Sequence, residues 1–514
     1  MLRETIGYST FSGTYLVGVF IITLGVAAAV ALLSSKQISK WPLINNRKPY
    51  ELTLAQAKKR FYHNLDQLCQ LGFQTSRNGF RLVTDSGTHL VLAPKYLRDI
   101  RVHPDLLFGP VVNHEFSGHI RGFEPFGKSA VSGPIFQNLL TKKMVIALGD
   151  TIAPLVEAAG PAIEKGFTEE REWHAITLLG PLRRIVTQCS SRVFVSDELW
   201  QDPAWADVAA DYTATASKTA DALRQWPPLL RPLAANFIPG VWKMRAQLRK
   251  ARGLMEPVHE KRREEKAKLA AQGKQAPRIA SDVMEWFEEC SRGQEYDMTA
   301  AHLGLDFVAI SSTADMITQL IYDLCGQEQL LKDLRQEIIS VLGENGWSKT
   351  SLYKLRLLDS VMKESLRLKP SITGLRRYAQ KDLVLSDGSK VSKGTLVIVS
   401  GHHMVDAESD VYPQADVFDG YRFYRLRQNS DQDTWKQSAA ASVQHIGFGY
   451  GQHACPGRFF ASHQVKILMC HILLKYDFQL PSGESPTPYL RGFNYNADPS
   501  TQVLIKRRQE EIPL

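Results

Sequence analysis

The sequence has few cysteines, and their spacing gives no sign of pairing. The 514 residues contain six of them, Cys69, Cys189, Cys290, Cys325, Cys455 and Cys470. Such scattered positions exclude a disulfide framework and a zinc site built from cysteine pairs, and they suit a reducing compartment. A cysteine that carries chemistry in this chain therefore acts singly.

The chain also lacks the charge expected of a nucleic-acid-binding protein. Its formal net charge is only +9, and 22% of its residues are charged. The basic stretch at 243–278 mixes both signs, which favours a solvated helix and loop over an interaction surface for acidic partners or anionic lipid. We find no internal repeat and no long low-complexity segment. We expect no nucleic-acid partner and a large apolar core, since 44% of the residues are hydrophobic.

One segment, from Gly447 to Phe460, has a composition that favours chemistry at a cysteine. Alternating glycines at Gly447, Gly449 and Gly451 let the backbone approach closely and turn its amides inward around Cys455. An isolated cysteine is usually a small buried hydrophobe, but this spacing favours a thiolate held beside a large flat cofactor. A dinucleotide-binding loop is excluded, because the third glycine of G-x-G-x-x-G is missing.

The same run resembles the haem-binding signature of the cytochrome P-450 family, Phe-x-x-Gly-x-basic-x-Cys-x-Gly. It is filled here by Phe448, Gly451, His453, Cys455 and Gly457. The resemblance implies haem b whose iron is bound by Cys455, with Phe448, Gly449 and Gly451 around the ligand. It also implies that His453, where most of the family has arginine, meets a haem propionate. A neutral imidazole would still donate a hydrogen bond there, with weaker charge pairing.

A second match lies upstream, in a stretch without proline from Arg278 to Lys369. Glu364 and Arg367 are three residues apart and share a helix face, which by itself usually indicates a solvated ion pair. The family resemblance implies a buried network with a third member, Arg422, that supports the cysteine loop.

The resemblance also indicates which arginine meets the second propionate. Arg377 is the candidate, the adjacent Arg376 is the alternative, and a surface arginine is the other interpretation.

The third match is the segment from Ala309 to Thr313, in a helix expected from about Ala300 to Cys325. The family places an acid followed by threonine there, and the pair relays protons to bound dioxygen. Thr313 matches the threonine, but Ser312 occupies the acid position. Asp315 is expected to point to another face. We therefore expect a relay of Ser312, Thr313 and ordered water; hydrogen bonding of each hydroxyl to its own helix is the alternative.

The N-terminal residues predict membrane attachment. The run from Tyr15 to Leu33 is apolar and uncharged, and at about 1.5 Å per residue a helix of this length spans roughly 29 Å, close to a bilayer core. Basic residues follow it, which favours a cytosolic body; a cleaved signal peptide is the alternative. We expect an anchor at 1–35 with its helix at about 15–33, a hinge at 36–50, and one catalytic domain at 51–514. The expected location is the endoplasmic reticulum membrane.

The resemblance implies a mainly α fold with small β-sheets and a haem-thiolate monooxygenase. The chain shows no flavin or iron–sulfur module, so a membrane-bound NADPH-dependent flavoprotein reductase is the expected partner. Several segments look like fungal natural-product members, which implies a hydrophobic terpenoid or meroterpenoid substrate. By analogy, side chains near Ile310 and Thr313, after Ser371 and near Phe493 would line its pocket. Two alternatives stay open, a reductase-independent isomerase or dehydratase and a non-catalytic membrane haem-binding protein.

Local patterns predict further elements. Leu331, Leu334, Ile338 and Leu342 keep helical spacing. Alternating residues from Gly79 to Ala93, and again from Leu383 to Ser400, predict two hairpins with turns at Asp85-Ser86-Gly87 and Asp387-Gly388.

Overall fold

Helices form most of the chain in the computed structural model. The structure describes residues 40–514 except 129, 132, 273–281, 370–372, 407–410, 429–436 and 452–453. The first ten helices are α1 (Ala55–His63), α2 (Leu65–Thr75), α3 (Leu97–Ile100), α4 (Gly109–Phe116), α5 (Pro134–Asn138), α6 (Met144–Ile146), α7 (Ile152–Phe167), α8 (Leu179–Phe194), α9 (Asp197–Trp200) and α10 (Pro203–Arg224).

The remaining helices include the longest ones. They are α11 (Arg231–Ala234), α12 (Pro239–Ala271), α13 (Val283–Ser291), α14 (Met298–Leu324), α15 (Glu328–Asn345), α16 (Lys349–Lys354), α17 (Arg356–Leu368), α18 (Arg422–Gln428) and α19 (Arg458–Lys475). A 3-10 turn at Pro228–Leu230 precedes α11.

The strands are short and lie in four sheets. They are β1 (Leu43–Ile44), β2 (Gly79–Thr84), β3 (Gly87–Leu92), β4 (Leu106–Leu107), β5 (His174–Thr177), β6 (Thr373–Ala379), β7 (Leu383–Val384), β8 (Lys390–Val391), β9 (Leu396–Ser400), β10 (Tyr476–Gln479), β11 (Tyr489–Arg491), β12 (Asn494–Asn496) and β13 (Gln502–Arg507). The largest sheet has the order β1-β2-β3-β9-β6-β4, and a second has the order β10-β13-β5. The expected mainly α fold with small sheets is confirmed.

The core of the unit Leu43–Leu514 lies between helices. Its main cluster joins apolar faces of α7, α8, α10, α14, α15, α17 and α19. A separate cluster fills the space between α1, α2 and the six-stranded sheet, where Phe61 packs edge-on against Phe493 at 4.7 Å. The three helices that carry or adjoin the sequence motifs, α14, α17 and α19, therefore pack in one core.

Most local predictions agree with these elements. The helix expected from about Ala300 to Cys325 is α14, and the first hairpin is β2–β3. The second hairpin is only partly right. β7 and β8 pair around Asp387-Gly388 as predicted. β9 does not join them; it lies between β3 and β6 in the six-stranded sheet, where its residues are buried.

The membrane anchor has no structural test here. The expected helix at about 15–33 lies in residues 1–39, outside the described residues. Within the described ranges, no helix is both long and apolar enough to cross a bilayer. Leu43 and Ile44, inside the expected hinge, pair in parallel with β2.

Candidate active site

The loop before α19 fixes Cys455 through its own backbone. The N–H of Cys455 donates to the Phe448 carbonyl at 2.7 Å, and the N–H of Gly449 donates to the Ile446 carbonyl at 2.8 Å. Gly449 and Gly451 have φ of 77° and 70°, in the left-handed region that favours glycine. These tight turns hold the cysteine at a defined place at the start of α19.

Gly451 is also required by a close contact. A Cβ atom at this position would lie 2.6 Å from the carbonyl oxygen of Arg101, and backbone cannot move aside as a flexible side chain can. The Arg101 side chain in turn donates to the hydroxyl of Tyr450 at 2.9 Å. Glycine at 451 therefore lets the loop lie directly against the residues after α3.

Cys455 combines exposed surface with a surrounding of protein atoms. Part of the surface of Cys455 is exposed. Protein atoms nevertheless surround the thiol, and the resulting loss of hydration raises its pKa. Backbone N–H groups of Gly457 and Arg458 and the Arg458 guanidinium act in the opposite direction and stabilise the thiolate. The sulfur is thus accessible and has hydrogen-bond donors that favour its thiolate form.

These features fit a haem bound through sulfur. A thiolate ligand needs hydrogen-bond donors that set how strongly it donates electrons to iron, and amides at 457 and 458 supply them. The left-handed turns at Gly449 and Gly451 hold the loop in one conformation around this ligand. Cys455 would hold the iron, and the loop from Phe448 to Gly451 would lie beside it.

Behind this loop lies a buried ionic network. Arg367 donates to both carboxylate oxygens of Glu364 at 2.8 and 2.7 Å, and Arg422 donates to one of them at 3.0 Å. Glu364 and Arg367 are fully buried and Arg422 is 8% exposed. The three residues named from sequence spacing therefore contact one another, because α17 and α18 pack together.

Carbonyl groups complete this network. Arg367 donates to the carbonyls of Met404 and Ala415, and Arg422 donates to the carbonyl of Pro413. A buried charge is stable only when its hydrogen bonds are made. The arrangement locks Met404 and the segment at 413–417 onto α17 and Arg422.

α17 also touches the cysteine loop directly. A Cβ at Gly447 would fall 2.6 Å from the Leu366 side chain. The Nε2 of His445 lies 3.0 Å from the carbonyl of Lys363. The ion network and the Cys455 loop are therefore parts of one packed unit.

The start of α17 is held by another helix. Glu337 of α15 accepts from the N–H groups of Leu357 and Leu358 at 2.7 and 3.0 Å. These N–H groups have no partner within the helix, so the carboxylate acts as a cap.

α14 carries the predicted proton-relay residues. Thr313 is buried at 4% exposure, whereas Ser312 is exposed and donates to the carbonyl of Val308 at 3.0 Å. Ser312 therefore hydrogen-bonds to its own helix, which is the alternative that the sequence left open. Asp315 points elsewhere, to Lys369 and to the N–H of Ala497.

The exposed positions of α14 differ from those expected to line the pocket. Ile310 is fully buried, and Phe493 is 7% exposed against Phe61. Val308, at 41% exposure, and Ser312 stand one turn apart on the same side of a mostly buried helix. Val308 was missed because an isolated valine in an apolar helix gives no sequence signal.

A second residue that the sequence patterns did not single out is the buried acid Asp306. Among the described residues, neither of its carboxylate oxygens has a hydrogen-bond partner. Burial raises its pKa to about 8, so it is protonated at neutral pH. His302, one turn earlier, is also buried, and burial lowers its pKa to about 3. A histidine and an aspartate four residues apart in an apolar helix were the available signal.

The two candidate propionate arginines lie on β6 with opposite orientations. Arg376 forms two hydrogen bonds with Glu115, at 2.7 and 2.8 Å. Arg377 is 3% exposed, and burial together with the Arg376 charge lowers its pKa to about 10. The ion pair of Arg376 with Glu115 leaves Arg377 as the better candidate. His453 and residues 370–372 lie outside the described residues.

Comparison with known proteins identifies the family that has this arrangement. The Cytochrome P450 family model matches residues 168–503. Cytochrome P450 monooxygenase adrA of Penicillium rubens is 39% identical over 486 residues, covering 94% of both chains. Cytochrome P450 monooxygenase pyr3 of Aspergillus fumigatus is 38% identical over 516 residues, covering 100% of this chain and 98% of that protein. Cytochrome P450 monooxygenase trt6 of Aspergillus terreus is 40% identical over 468 residues, covering 90% and 94%.

Both the family model and these relatives span the motifs described above. They establish an oxidoreductase that incorporates molecular oxygen and whose haem iron is bound by a cysteine thiolate, here Cys455. The chain belongs to the cytochrome P450 family.

Proposed function

We propose that this monooxygenase is attached to a membrane, receives electrons from an NADPH-dependent flavoprotein reductase, and oxidises a hydrophobic terpenoid or meroterpenoid intermediate of a fungal biosynthetic pathway. The carrying observation is the exposed Cys455, whose thiolate form is stabilised by the backbone N–H groups of Gly457 and Arg458. When bound there, haem supplies the chemistry that inserts one oxygen atom of dioxygen into the substrate and releases the other as water.

The protein's own residues hold and orient this chemistry. The amides at 457 and 458 stabilise negative charge on the Cys455 sulfur. Arg377, with His453, is proposed to hold the propionates. Thr313 is proposed to hold a proton-delivering water at its hydroxyl, while Ser312 keeps its hydrogen bond to the Val308 carbonyl.

The reductase follows from electron balance. Release of one oxygen atom as water consumes two electrons and two protons in addition to those exchanged with the substrate. NADPH supplies them as a pair, and a flavin can pass them on singly. We expect turnover only after a flavoprotein reductase and NADPH are added, and turnover without either one would contradict this part of the proposal.

Exposed apolar side chains support membrane attachment of the catalytic body. The segment after α10 exposes six of them, Trp226 (47%), Leu229 (95%), Leu230 (46%), Leu233 (63%), Phe237 (77%) and Trp242 (56%). Leu52, 94% exposed, lies nearby in space, since Lys58 of α1 donates to the carbonyl of Arg224 at 2.8 Å. A patch of large apolar side chains with tryptophans is typical of a membrane-contacting surface.

This attachment is tested by fractionating cells that express the chain from residue 36 onwards, so that the expected anchor at 1–35 cannot retain it. Leu229→Gln combined with Leu233→Gln should shift protein towards the soluble fraction after a high-salt or carbonate wash. Val384→Gln, which changes another exposed apolar residue (63% exposed), is the matched control. Equal retention of both variants would contradict a role for the segment after α10.

The substrate class is tested by optical titration of the purified ferric protein. Diterpene, meroterpenoid and indole-terpene intermediates are compared with polyketides, and a shift from low to high spin reports displacement of water from iron. We expect a shift with at least one terpenoid and none with the polyketides. Shifts with polyketides alone, or with no compound, would contradict the terpenoid assignment and leave the enzyme class intact.

Reductase-independent isomerisation or dehydration is the second candidate. The observation that favours it is Ser312, which replaces the expected acid and hydrogen-bonds to its own helix. Product formed without NADPH and dioxygen would select this candidate.

A further inference from the structure

A cavity of about 420 Å³ lies apart from the Cys455 loop. It opens between α4, the turn at Pro228–Leu230 and the end of β6. Its volume is within the range of small-molecule sites. Neither the motifs nor the proposed mechanism uses it.

The side chains around this cavity are basic or carry hydrogen-bond donors. The basic ones are His114, His119, Lys128 and Arg231, and Asn113 and Tyr378 add polar groups. Among the described residues, no aspartate or glutamate lines it. Such a lining attracts negative charge.

Arg231 is the central feature of this lining. The residue is only 4% exposed. Its hydrogen bonds are long and go to neutral oxygens, the carbonyls of Trp226 at 3.3 Å and His114 at 3.4 Å and the hydroxyl of Ser117 at 3.5 Å. A guanidinium is normally buried against a carboxylate or phosphate, which matches its geometry.

Neighbouring acids are already engaged. Asp85 is the acid that acts electrostatically on Arg231, and it is bound by Arg224 at 2.7 Å. Glu115, on α4, is bound by Arg376. Burial and the charge of Arg224 therefore lower the pKa of Arg231. An incoming anion would supply the missing partner without displacing an existing ion pair.

We propose that this cavity is an anion-binding site that receives the carboxylate or phosphate group of an acidic amphiphile. The cavity borders the exposed apolar segment, because Arg231 and Pro228 belong to it. The acidic group would enter the cavity while the hydrocarbon part lies along Leu229 and Leu233. The ligand is either an acidic substrate or the headgroup of an anionic lipid; only its use in catalysis rests on the proposed function.

The test measures binding to the full-length holoenzyme by isothermal titration with inorganic phosphate. We expect saturable, salt-sensitive binding that is about tenfold weaker in Arg231→Gln and severalfold weaker in Lys128→Gln. Lys250→Gln, which removes an exposed charge of α12 outside the cavity, should bind as the wild type does. Because Lys128 is exposed, its variant carries the test if Arg231→Gln does not fold.

Two further probes distinguish the sources of the anion. A diterpene carboxylic acid is compared with its methyl ester, and phosphatidylcholine vesicles are compared with vesicles that contain about 20% phosphatidic acid. A preference for the free acid that Lys128→Gln reduces identifies a substrate-like ligand. A preference for the anionic vesicles that Lys128→Gln reduces identifies a lipid.

The inference is overturned if phosphate does not bind saturably, or if Lys128→Gln and Lys250→Gln weaken binding equally. The reduced, carbon-monoxide-bound spectrum is recorded for every variant. An intact thiolate band without phosphate binding contradicts the anion site alone. A missing band in the wild type contradicts the proposed function.

Discussion

Buried charged and polar groups behave differently around α17, here called the paired side, and along α14. Around α17, Glu364, Arg367 and Arg422 are buried and each carboxylate oxygen is bound. Along α14, Asp306 is equally buried, yet among the described residues it has no hydrogen-bond partner. Removing a carboxylate from water is unfavourable in both places. Pairing with two arginines offsets this for Glu364, and uptake of a proton offsets it for Asp306.

Further contacts strengthen this contrast. On the side of α17, Asp359 is buried and bound by Lys466 at 2.7 Å and by the Ser438 hydroxyl at 2.6 Å, and its pKa is lowered well below the usual value. On α14, Ser312 bonds only within its helix. The paired side is fixed by many partners at once, so it is rigid. Asp306 and Ser312 of α14 have no such set of partners among the described residues, and we call this the adjustable side.

The largest effect is expected at the ligand itself. Cys455→Ala should abolish the red-shifted band of the reduced, carbon-monoxide-bound protein and all oxygenation, because no other residue replaces the thiolate. Cys290→Ala, which removes a half-buried cysteine, should keep both. A red-shifted band in Cys455→Ala would mean that the paired side supports another ligand.

Breaking the ion network should come next. Glu364→Gln leaves two buried arginines without their carboxylate, and we expect a loss of about 3–5 kcal/mol in unfolding free energy together with poor haem incorporation. The exposed pair Arg425–Asp419 gives the control, because Arg425→Ala should cost less than about 1 kcal/mol. Thermal unfolding and haem content per chain measure both. Normal haem content in Glu364→Gln would contradict the structural role.

For substitution of Asp306 we expect the opposite response, a gain of stability. Its pKa is about 8 in the folded protein, against an ordinary value of 3.8. Between these values the folded state binds the extra proton, so stability falls as pH rises through that window. Asp306→Asn should remove this slope, so its stability relative to wild type should rise by roughly 3–4 kcal/mol between pH 5 and pH 8.

The measurement for Asp306 is the melting temperature of wild type and variant from pH 5 to pH 8. Asp207→Asn, which changes an exposed residue of α10, serves as the control. Parallel curves for wild type and Asp306→Asn would mean that the carboxylate is ionised through contacts that the structure does not show.

The smallest effects concern the hydroxyls of α14. Thr313→Ala should lower product formed per NADPH by about tenfold, a loss typical of a proton-transfer group. Ser312→Ala should have a weaker effect, because its hydroxyl already donates to the Val308 carbonyl. Full coupling in Thr313→Ala would refute the relay. A larger effect of Ser312→Ala would show that its hydrogen bond opens during turnover.

The paired side could be predicted from the sequence. The family resemblance, not a local pattern, implied the network of Glu364, Arg367 and Arg422, and the structure brings the three within hydrogen-bond distance. The glycine spacing around Cys455 is a local pattern. Helical and strand periodicity likewise gave α14 and the β2–β3 hairpin. These features follow from backbone chemistry near one position in the chain.

The adjustable side could not be predicted in the same way. Whether Asp306 is buried, or whether Val308 is exposed, depends on helices distant in sequence that cover one face of α14 and leave another open. The cavity around Arg231 joins residues of α4, α11 and β6, and no spacing rule links them. The hairpin error at β9 has the same origin, since a strand's partner is chosen by the whole sheet.

The exposure of Val308 bears on how this enzyme can be re-engineered. A side chain that packs against few neighbours contributes little to folding, so substitutions there consume little of the protein's stability margin. Val308 and Ser312 share one face of α14, and libraries that vary both should retain folded, haem-loaded protein at high frequency. Product analysis of such libraries would show whether this face of α14 sets selectivity.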